Sequence, residues 1–257
     1  MNIRLPWRDR LFAAFIFFTR LPFWRIHQPR KEAYETVVEL WPLTGWLTAG
    51  SMAATLYFGS FIVPTALAAM AAIIVRILIT GALHEDGLAD FIDGFGAGGT
   101  DRKRILDIMK DSRIGTYGVV GLVLYFMLLH QSLTILPPRI TALMILTADP
   151  FFKMMTAQLI QMMPYARTAE TAKGQVVYRK TSIKAGLLLL IQGTLPAIGL
   201  WYFAGLPYLG IAMPALVFYL LYLLMHRRIN GYTGDCCGAV FLLTELTFYL
   251  TYITLNS

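Results

Sequence analysis

Residues 116–136 read TYGVVGLVLYFMLLHQSLTIL, an apolar stretch without Asp, Glu, Lys or Arg. About 20 such residues in a helix cross the roughly 30 Å hydrocarbon core of a bilayer. The stretch therefore predicts a transmembrane helix. Similar stretches recur along the chain, so that seven spans are predicted near 40–60, 63–83, 116–136, 140–162, 184–204, 207–225 and 238–254.

The composition agrees with a membrane location. Hydrophobic residues make up 57% of the 257 residues and charged residues only 14%, whereas about a quarter of a soluble domain is charged. We predict an all-α integral membrane protein, one polytopic domain over 1–257 with about seven transmembrane helices in a single bundle. The run Leu11–Phe18 is too short to span and lacks a cleavage site, which indicates an N-terminal interfacial or re-entrant helix.

Basic residues are distributed unevenly over the predicted loops. On the seven-span interpretation, 19 of the 22 Lys and Arg residues share the side of the N-terminus, and only Arg139 lies opposite. Positive charge concentrates on the cytoplasmic side of membrane proteins, so we expect the N-terminus and the loops 84–115, 164–183 and 226–237 to be cytoplasmic. The net charge of +7 then indicates lipid, not nucleic acid, as the partner. A homo-oligomer is compatible with the sequence.

The loop 84–115 holds seven of the 15 acidic residues. Asp86, Asp90 and Asp93 follow the spacing i, i+4, i+7 and would share one face of a helix. Stacked like charges repel, so the spacing indicates that a cation lies between them. Carboxylate oxygens suit Mg²⁺, Mn²⁺ or Ca²⁺.

A second helical stretch follows a glycine-rich turn. It carries Asp107 and Asp111 four residues apart, beside Arg104, Lys110 and Arg113. Carboxylates together with cations fit a site for metal and phosphate.

Other acidic residues are more ambiguous. Asp235 lies in the turn NGYTGDCCG at 230–238, where it could equally be a helix N-cap. Ionisable residues at membrane depth are default functional candidates and could line a transport path: Arg76, Asp149, Lys153 and Glu245. Asp149 and Lys153 are four residues apart and could instead neutralise each other.

Several motifs together resemble one family. HEDGLAD at 84–90 with Asp93-Gly94, ILDIMKDSRIGTYG at 105–118 and TGD at 233–235 are similar to motifs of the cobalamin synthases. The likeness runs from FFTRLP at 17–22 to the last span. It implies adenosylcobinamide-GDP ribazoletransferase activity, the late nucleotide-loop step of vitamin B12 assembly, with Mg²⁺ (or Mn²⁺) as cofactor, in the bacterial cytoplasmic membrane.

The resemblance also suggests roles. A ribose oxygen of α-ribazole, or of its 5′-phosphate, would attack the phosphorus attached to cobinamide in the corrinoid nucleotide substrate, and GMP would leave. Asp111 and Asp235 are alternative candidates for the catalytic base. Phosphate is assigned to Arg104, Lys110 and Arg113. Metal is assigned to Glu85, Asp86, Asp90, Asp93 and Asp107, with Asp111 as an alternative to Asp107. A CDP-alcohol-type phosphotransferase and a small transporter are the alternative functions.

Overall fold

A computed structural model describes residues 5–167, 177–205 and 208–256. These residues form helices and no strand. The helices are α1 (Trp7–Phe18), α2 (Trp41–Gly59), α3 (Thr65–Thr80), α4 (Leu83–Ala97), α5 (Arg102–Lys110), α6 (Thr116–Ile135), α7 (Pro138–Ala157), α8 (Leu159–Met162), α9 (Ile183–Ala204), α10 (Tyr208–Ile229) and α11 (Gly234–Asn256). Two 3₁₀ segments, Phe23–Arg25 and Lys31–Leu40, join α1 to α2. The all-α prediction is confirmed.

Within the described residues, five helices are long and apolar enough to cross a membrane: α6, α7 with its continuation α8, α9, α10 and α11. Helices α3 and α4 make a sixth if the bent pair counts as one span. The predicted span 40–60 is the 19-residue helix α2, which is not among these five. The predicted span 63–83 is wrong as a single straight span, because its helix ends at Thr80.

The spanning helices differ in how much of their surface is covered. In α7 and α11, 72% and 78% of the apolar 18-residue stretch is buried inside the protein, whereas in α6, α9 and α10 the buried share is 28%, 22% and 17%. Helices α7 and α11 therefore form the centre of the bundle. Helices α6, α9 and α10 expose apolar faces that suit lipid.

A sharp turn after α3 carries the acidic segment back into the bundle. Gly81 and Ala82 both have positive φ, 66° and 57°, and α4 leaves at 90° to α3. A left-handed alanine costs about 1–2 kcal/mol, so surrounding contacts must hold this turn. Arg20 supplies one such contact: its backbone N–H donates to the Ile79 carbonyl at 2.7 Å.

The acidic region 84–115, predicted as a loop with helical stretches, is largely helical: α4 and α5 account for most of it. Helix α4 packs against α11 and α6. The predicted loop 226–237 is shorter, because α10 continues to Ile229 and α11 begins at Gly234. The predicted loop 164–183 lies partly outside the described residues, as do two of the counted basic residues, Arg4 and Lys173. The N-terminal helix exists as α1 and buries Ala13, Ala14 and Phe18.

Charged side chains inside the bundle are paired. Arg76 donates to Glu245 at 2.7 Å, and Tyr249 donates to the same carboxylate at 3.1 Å. The carboxylate of Asp149 lies 2.5 Å from the Lys153 ammonium, as the i, i+4 spacing indicated. The Arg76–Glu245 pair joins α3 to α11, whereas the Asp149–Lys153 pair lies within α7. Neutralised pairs of this kind do not resemble an open ion path.

Replacing Arg76 by Met tests this bracing. The change leaves Glu245 buried without its cation, which costs about 3–5 kcal/mol where such pairs have been broken. We expect a clear fall in the thermal unfolding temperature of the detergent-purified protein. The double variant Arg76→Met with Glu245→Gln should recover part of the loss, since Glu85 is then the remaining carboxylate that has lost the Arg76 charge. Equal unfolding temperatures for wild type and Arg76→Met would contradict the bracing role.

Candidate active site

Two glycines let α4 and α11 cross at close range. A Cβ on Gly87 would lie 3.0 Å from the Cα of Asp235, and one on Gly238 would lie 3.1 Å from the carbonyl oxygen of His84. Neither position has room for a side chain. The crossing brings the exposed Asp86 of α4 and the half-buried Asp235 of α11 to the wall of one cavity.

The first cavity has a volume of about 310 Å³ and a lining rich in aromatic residues. Its lining comes from helix ends and from the segments that connect them, at one end of the bundle, here called the site end. The lining residues at its core are Phe17, Phe18, Val38, Trp41, His84, Tyr165, Tyr178 and Cys237. The charged residues among its lining are Asp86, Asp235 and Arg167.

A second cavity of about 700 Å³ is more open and carries more charge. It is lined by Asp101, Arg102, Lys103, Leu106, Asp107, Lys110, Tyr165, Ala166 and Arg167. Tyr165 and Arg167 line both cavities, so the two are neighbours. Such a surface, rich in cations with two carboxylates, suits phosphate groups.

Backbone contacts hold this shared wall in place. The Ala166 N–H donates to the Tyr232 carbonyl at 2.8 Å, and the Tyr232 N–H donates to the Pro164 carbonyl at 3.1 Å. Arg167 donates to the Leu106 carbonyl at 2.8 Å, which ties the wall to α5. Burial raises the pKa of the Tyr165 hydroxyl to about 12, so this group stays a neutral donor at physiological pH.

The in-phase aspartates of α4 have different surroundings. Asp93 is buried, and its two oxygens accept hydrogen bonds from the backbone N–H groups of Gly115 at 2.7 Å and Gly118 at 2.9 Å. It therefore fastens the N-terminus of α6. Asp86 is exposed in the first cavity, and Asp90 is half-buried one turn farther along.

Glu85 turns away from these aspartates. Its carboxylate lies 3.7 Å from the Arg76 guanidinium, inside the bundle. Since successive helix residues point about 100° apart, Glu85 and Asp86 serve different environments. The charge on Glu85 stabilises the buried Arg76.

Some of the predicted site residues in α5 and in the segment after it line a cavity, and others do not. Asp107 and Lys110 line the second cavity, whereas Arg104 lines neither cavity. Asp111 is paired with Arg113 at 2.7 Å outside both linings. The hydrogen bonds from Arg113 lower the pKa of the Asp111 carboxyl to about 2.

The N-cap of α11 is Thr233 and not Asp235. The Thr233 hydroxyl accepts from the Cys236 backbone N–H at 3.2 Å, so Thr233 caps α11. Asp235 lies one residue inside the helix, in its first turn. An acidic side chain there is favoured by the helix dipole, and Asp235 lines the first cavity.

Among the cavity residues that were not predicted as site residues are Trp41, Tyr165, Arg167 and Tyr178. Trp41 and Tyr178 belong to no spacing pattern in the sequence, and neither carries a charge. Tyr165 and Arg167 belong to the segment Tyr165-Ala166-Arg167, a charged group flanked by small and aromatic residues just after a predicted span. A charged residue directly after a predicted span was the signal that could have identified this segment as part of a site.

The metal prediction can be compared with the donors present. Among the residues described, no group of three or more His, Cys, Asp or Glu side chains is gathered closely enough to hold a metal by itself. Mg²⁺ is commonly held by one or two carboxylates together with substrate phosphates. Asp86 on the first cavity and Asp107 on the second offer carboxylate oxygens of the kind Mg²⁺ prefers, so these donors fit a site that is shared with substrate phosphates.

Comparison with known proteins identifies the same family that the sequence motifs resemble. The family model described as cobalamin-5-phosphate synthase matches residues 10–253. A protein of Leptospira interrogans named adenosylcobinamide-GDP ribazoletransferase is 34% identical over 94% of both chains. Proteins of the same name are 35% identical in Shewanella woodyi, over 93% of both chains, and 33% identical in Vibrio parahaemolyticus, over 93% of this chain and 90% of that one. No solved structure matches the chain.

The helix crossing predicts opposite effects for two Gly→Ala substitutions. Alanine in a helix is favoured over glycine by about 1 kcal/mol, and Gly50 in α2 has open space around its Cβ position. Gly50→Ala should therefore keep or raise the thermal unfolding temperature. Gly87→Ala should lower it, because the added methyl group meets the Asp235 backbone. Unfolding in detergent measures both, and an unfolding temperature for Gly87→Ala at or above wild type would show that the helices are not in close contact.

Proposed function

The chain belongs to the cobalamin-5-phosphate synthase family, and we propose that it catalyses the adenosylcobinamide-GDP ribazoletransferase reaction for which its relatives are named. In this reaction a ribose hydroxyl oxygen of α-ribazole, or of its 5′-phosphate, bonds to the phosphorus attached to cobinamide. The bond from that phosphorus to the oxygen of GMP breaks, and GMP leaves with the electron pair. The product is the completed nucleotide loop of vitamin B12.

The observation that carries this proposal is the pair of neighbouring cavities. One is small and aromatic with Asp86 and Asp235 on its wall, and the other is open and cationic. A pyrophosphate placed at the wall shared by Tyr165 and Arg167 has acceptor space on one side and phosphate-binding side chains on the other. Phosphoryl transfer depends mainly on such positioning and on neutralising charge.

We propose that Asp86 on the first cavity and Asp107 on the second would hold Mg²⁺ together with substrate phosphates, with Asp90, one turn after Asp86, as a further candidate ligand. Bound Mg²⁺ would neutralise negative charge on the pyrophosphate oxygens. Asp93 and Glu85 are left out of this narrower set, because their carboxylates already stabilise the α6 N-terminus and Arg76. Lys110 and Arg167, both on the second cavity, would hold phosphate oxygens.

Asp235 is the better placed of the two candidate bases. It lines the aromatic cavity, so its carboxylate can receive the proton of the attacking hydroxyl. Asp111 lies outside both linings and has a pKa of about 2, which makes it a weak proton acceptor. Its pairing with Arg113 instead suits a structural role in the turn before α6.

Two substitutions at the start of α11 separate catalysis from capping. Asp235→Asn should slow GMP release about 10²-fold or more with little change in thermal stability, as expected for loss of a general base. Thr233→Ala should lower stability by about 1 kcal/mol, the usual cost of a lost N-cap, while the folded protein keeps its turnover. Asp111→Asn serves as the matched carboxylate control and should retain turnover. Full activity in Asp235→Asn would remove Asp235 from the proposed mechanism.

The charge asymmetry supports an orientation in which the site end faces the bacterial cytoplasm. Both native cysteines, Cys236 and Cys237, are buried free thiols, so each is replaced by alanine or serine before new cysteines are introduced. A cysteine at Thr100, exposed near the site end, should react with an impermeant maleimide only from the cytoplasmic side. One at Ile62, which is 84% exposed in the α2–α3 turn, should react only from outside. The reverse pattern of labelling would overturn the orientation.

A further inference from the structure

The small cavity offers buried polar atoms that the protein itself does not satisfy. The indole Nε1 of Trp41 and the imidazole Nε2 of His84 have no hydrogen-bond partner within the described part of the chain. Trp41 is 2% exposed and His84 is 4% exposed, and both line the cavity. Buried polar groups are rarely left unpaired, so a ligand in the cavity is the natural partner for them.

The walls of the cavity suit a flat ring. The rings of Phe18 and Trp41 are nearly parallel, with centroids 5.2 Å apart and planes 9° apart. The His84 ring continues the set, 5.7 Å from Trp41 at 17°. A planar ligand ring aligned with this set would make offset-stacked contacts, which add to the apolar area that it buries.

Size and polarity narrow the choice of ligand. A volume of about 310 Å³ is at the lower end for small-molecule sites and is too small for a corrin macrocycle. Guanine presents several donors and acceptors, more than the two unpartnered nitrogens of Trp41 and His84 can match. A benzimidazole joined to ribose presents a single acceptor, its unsubstituted ring nitrogen. Trp41, which can only donate through its indole N–H, matches that acceptor.

We propose that this cavity is the acceptor subsite and holds the benzimidazole ring of α-ribazole among Phe18, Trp41 and His84. The inference rests on the proposed function and refines it by assigning the substrates to separate places. The more exposed Asp86 and Asp235 mark the open part of the cavity, so a base buried at Trp41 directs its ribose hydroxyls toward Asp235. The nucleotide part of adenosylcobinamide-GDP is then left to the cationic second cavity.

The test compares binding of two ligands to the purified full-length protein in detergent. Titration calorimetry with α-ribazole and, separately, with GMP is carried out on wild type, Trp41→Phe and Val38→Phe. Trp41→Phe keeps a flat ring but loses the N–H, so α-ribazole should bind roughly 5- to 10-fold more weakly. Val38→Phe adds bulk to the cavity wall and should weaken α-ribazole at least 10-fold. GMP affinity should change less than twofold in both variants.

A matched control makes the same chemical change elsewhere. Trp201 is 65% exposed on α9, away from the site end, and Trp201→Phe should bind both ligands as wild type does. Thermal unfolding verifies that each variant is folded, and Trp41→Phe remains decisive if Val38→Phe is unstable. Weakened GMP binding with unchanged α-ribazole binding, or no change in either, would overturn the subsite assignment.

Turnover distinguishes this inference from the proposed function. Wild-type protein that binds α-ribazole but releases no GMP from adenosylcobinamide-GDP would refute the function and leave the cavity assignment standing. An active enzyme in which Trp41→Phe raises KM for adenosylcobinamide-GDP, and not KM for α-ribazole, would refute the subsite alone. If the subsite assignment is right, Trp41→Phe raises KM for α-ribazole, leaves KM for adenosylcobinamide-GDP unchanged and leaves kcat nearly unchanged.

Discussion

The contact between α4 and α11 at Gly87 and Gly238 is the constraint on which the candidate site depends. Only glycine permits the backbones to approach so closely there. The approach requires α4 to run across the end of the bundle, and the left-handed turn at Gly81 and Ala82 provides that direction. Without both features, Asp86 and Asp235, which are 149 residues apart in sequence, would not line one cavity.

The carboxylates of α4 show how one short helix divides its charges among different tasks. Glu85 stabilises a buried guanidinium, Asp93 holds the first amides of α6, and Asp86 faces the cavity. The first two interactions are internal, and they fix the rotation of α4 about its own axis. The orientation of the third carboxylate therefore follows from the other two. Positioning by neighbouring residues of this kind gives a site its precision.

Much of this arrangement could be predicted from the sequence, because hydropathy and helical periodicity are local signals. The long apolar stretches identified the helices from α6 to α11, and the spacing of Asp86, Asp90 and Asp93 predicted the helix that carries them. The spacing could not distinguish a carboxylate that binds backbone amides from one that faces a cavity, since both keep the same phase. The break at Gly81 was also hidden, because the apolar run 63–83 continues through it. Trp41 and Tyr178 could not be identified, because their role depends on contacts between distant segments.

The neighbouring cavities give the proposed reaction a geometric basis. In a displacement at phosphorus, the entering and leaving oxygens lie on opposite sides of the reacting atom. A single large pocket would leave that direction to the substrates, whereas two cavities that meet at Tyr165 and Arg167 impose it through the protein. Backbone hydrogen bonds join the segment bearing these two residues to the α10–α11 turn, and the Arg167 side chain joins it to α5 by donating to the Leu106 carbonyl. The segment is therefore held by two separate elements of the site. The same turn leads directly into Thr233 and Asp235. The separation of the two substrates and the placement of the proposed base thus depend on one braced segment.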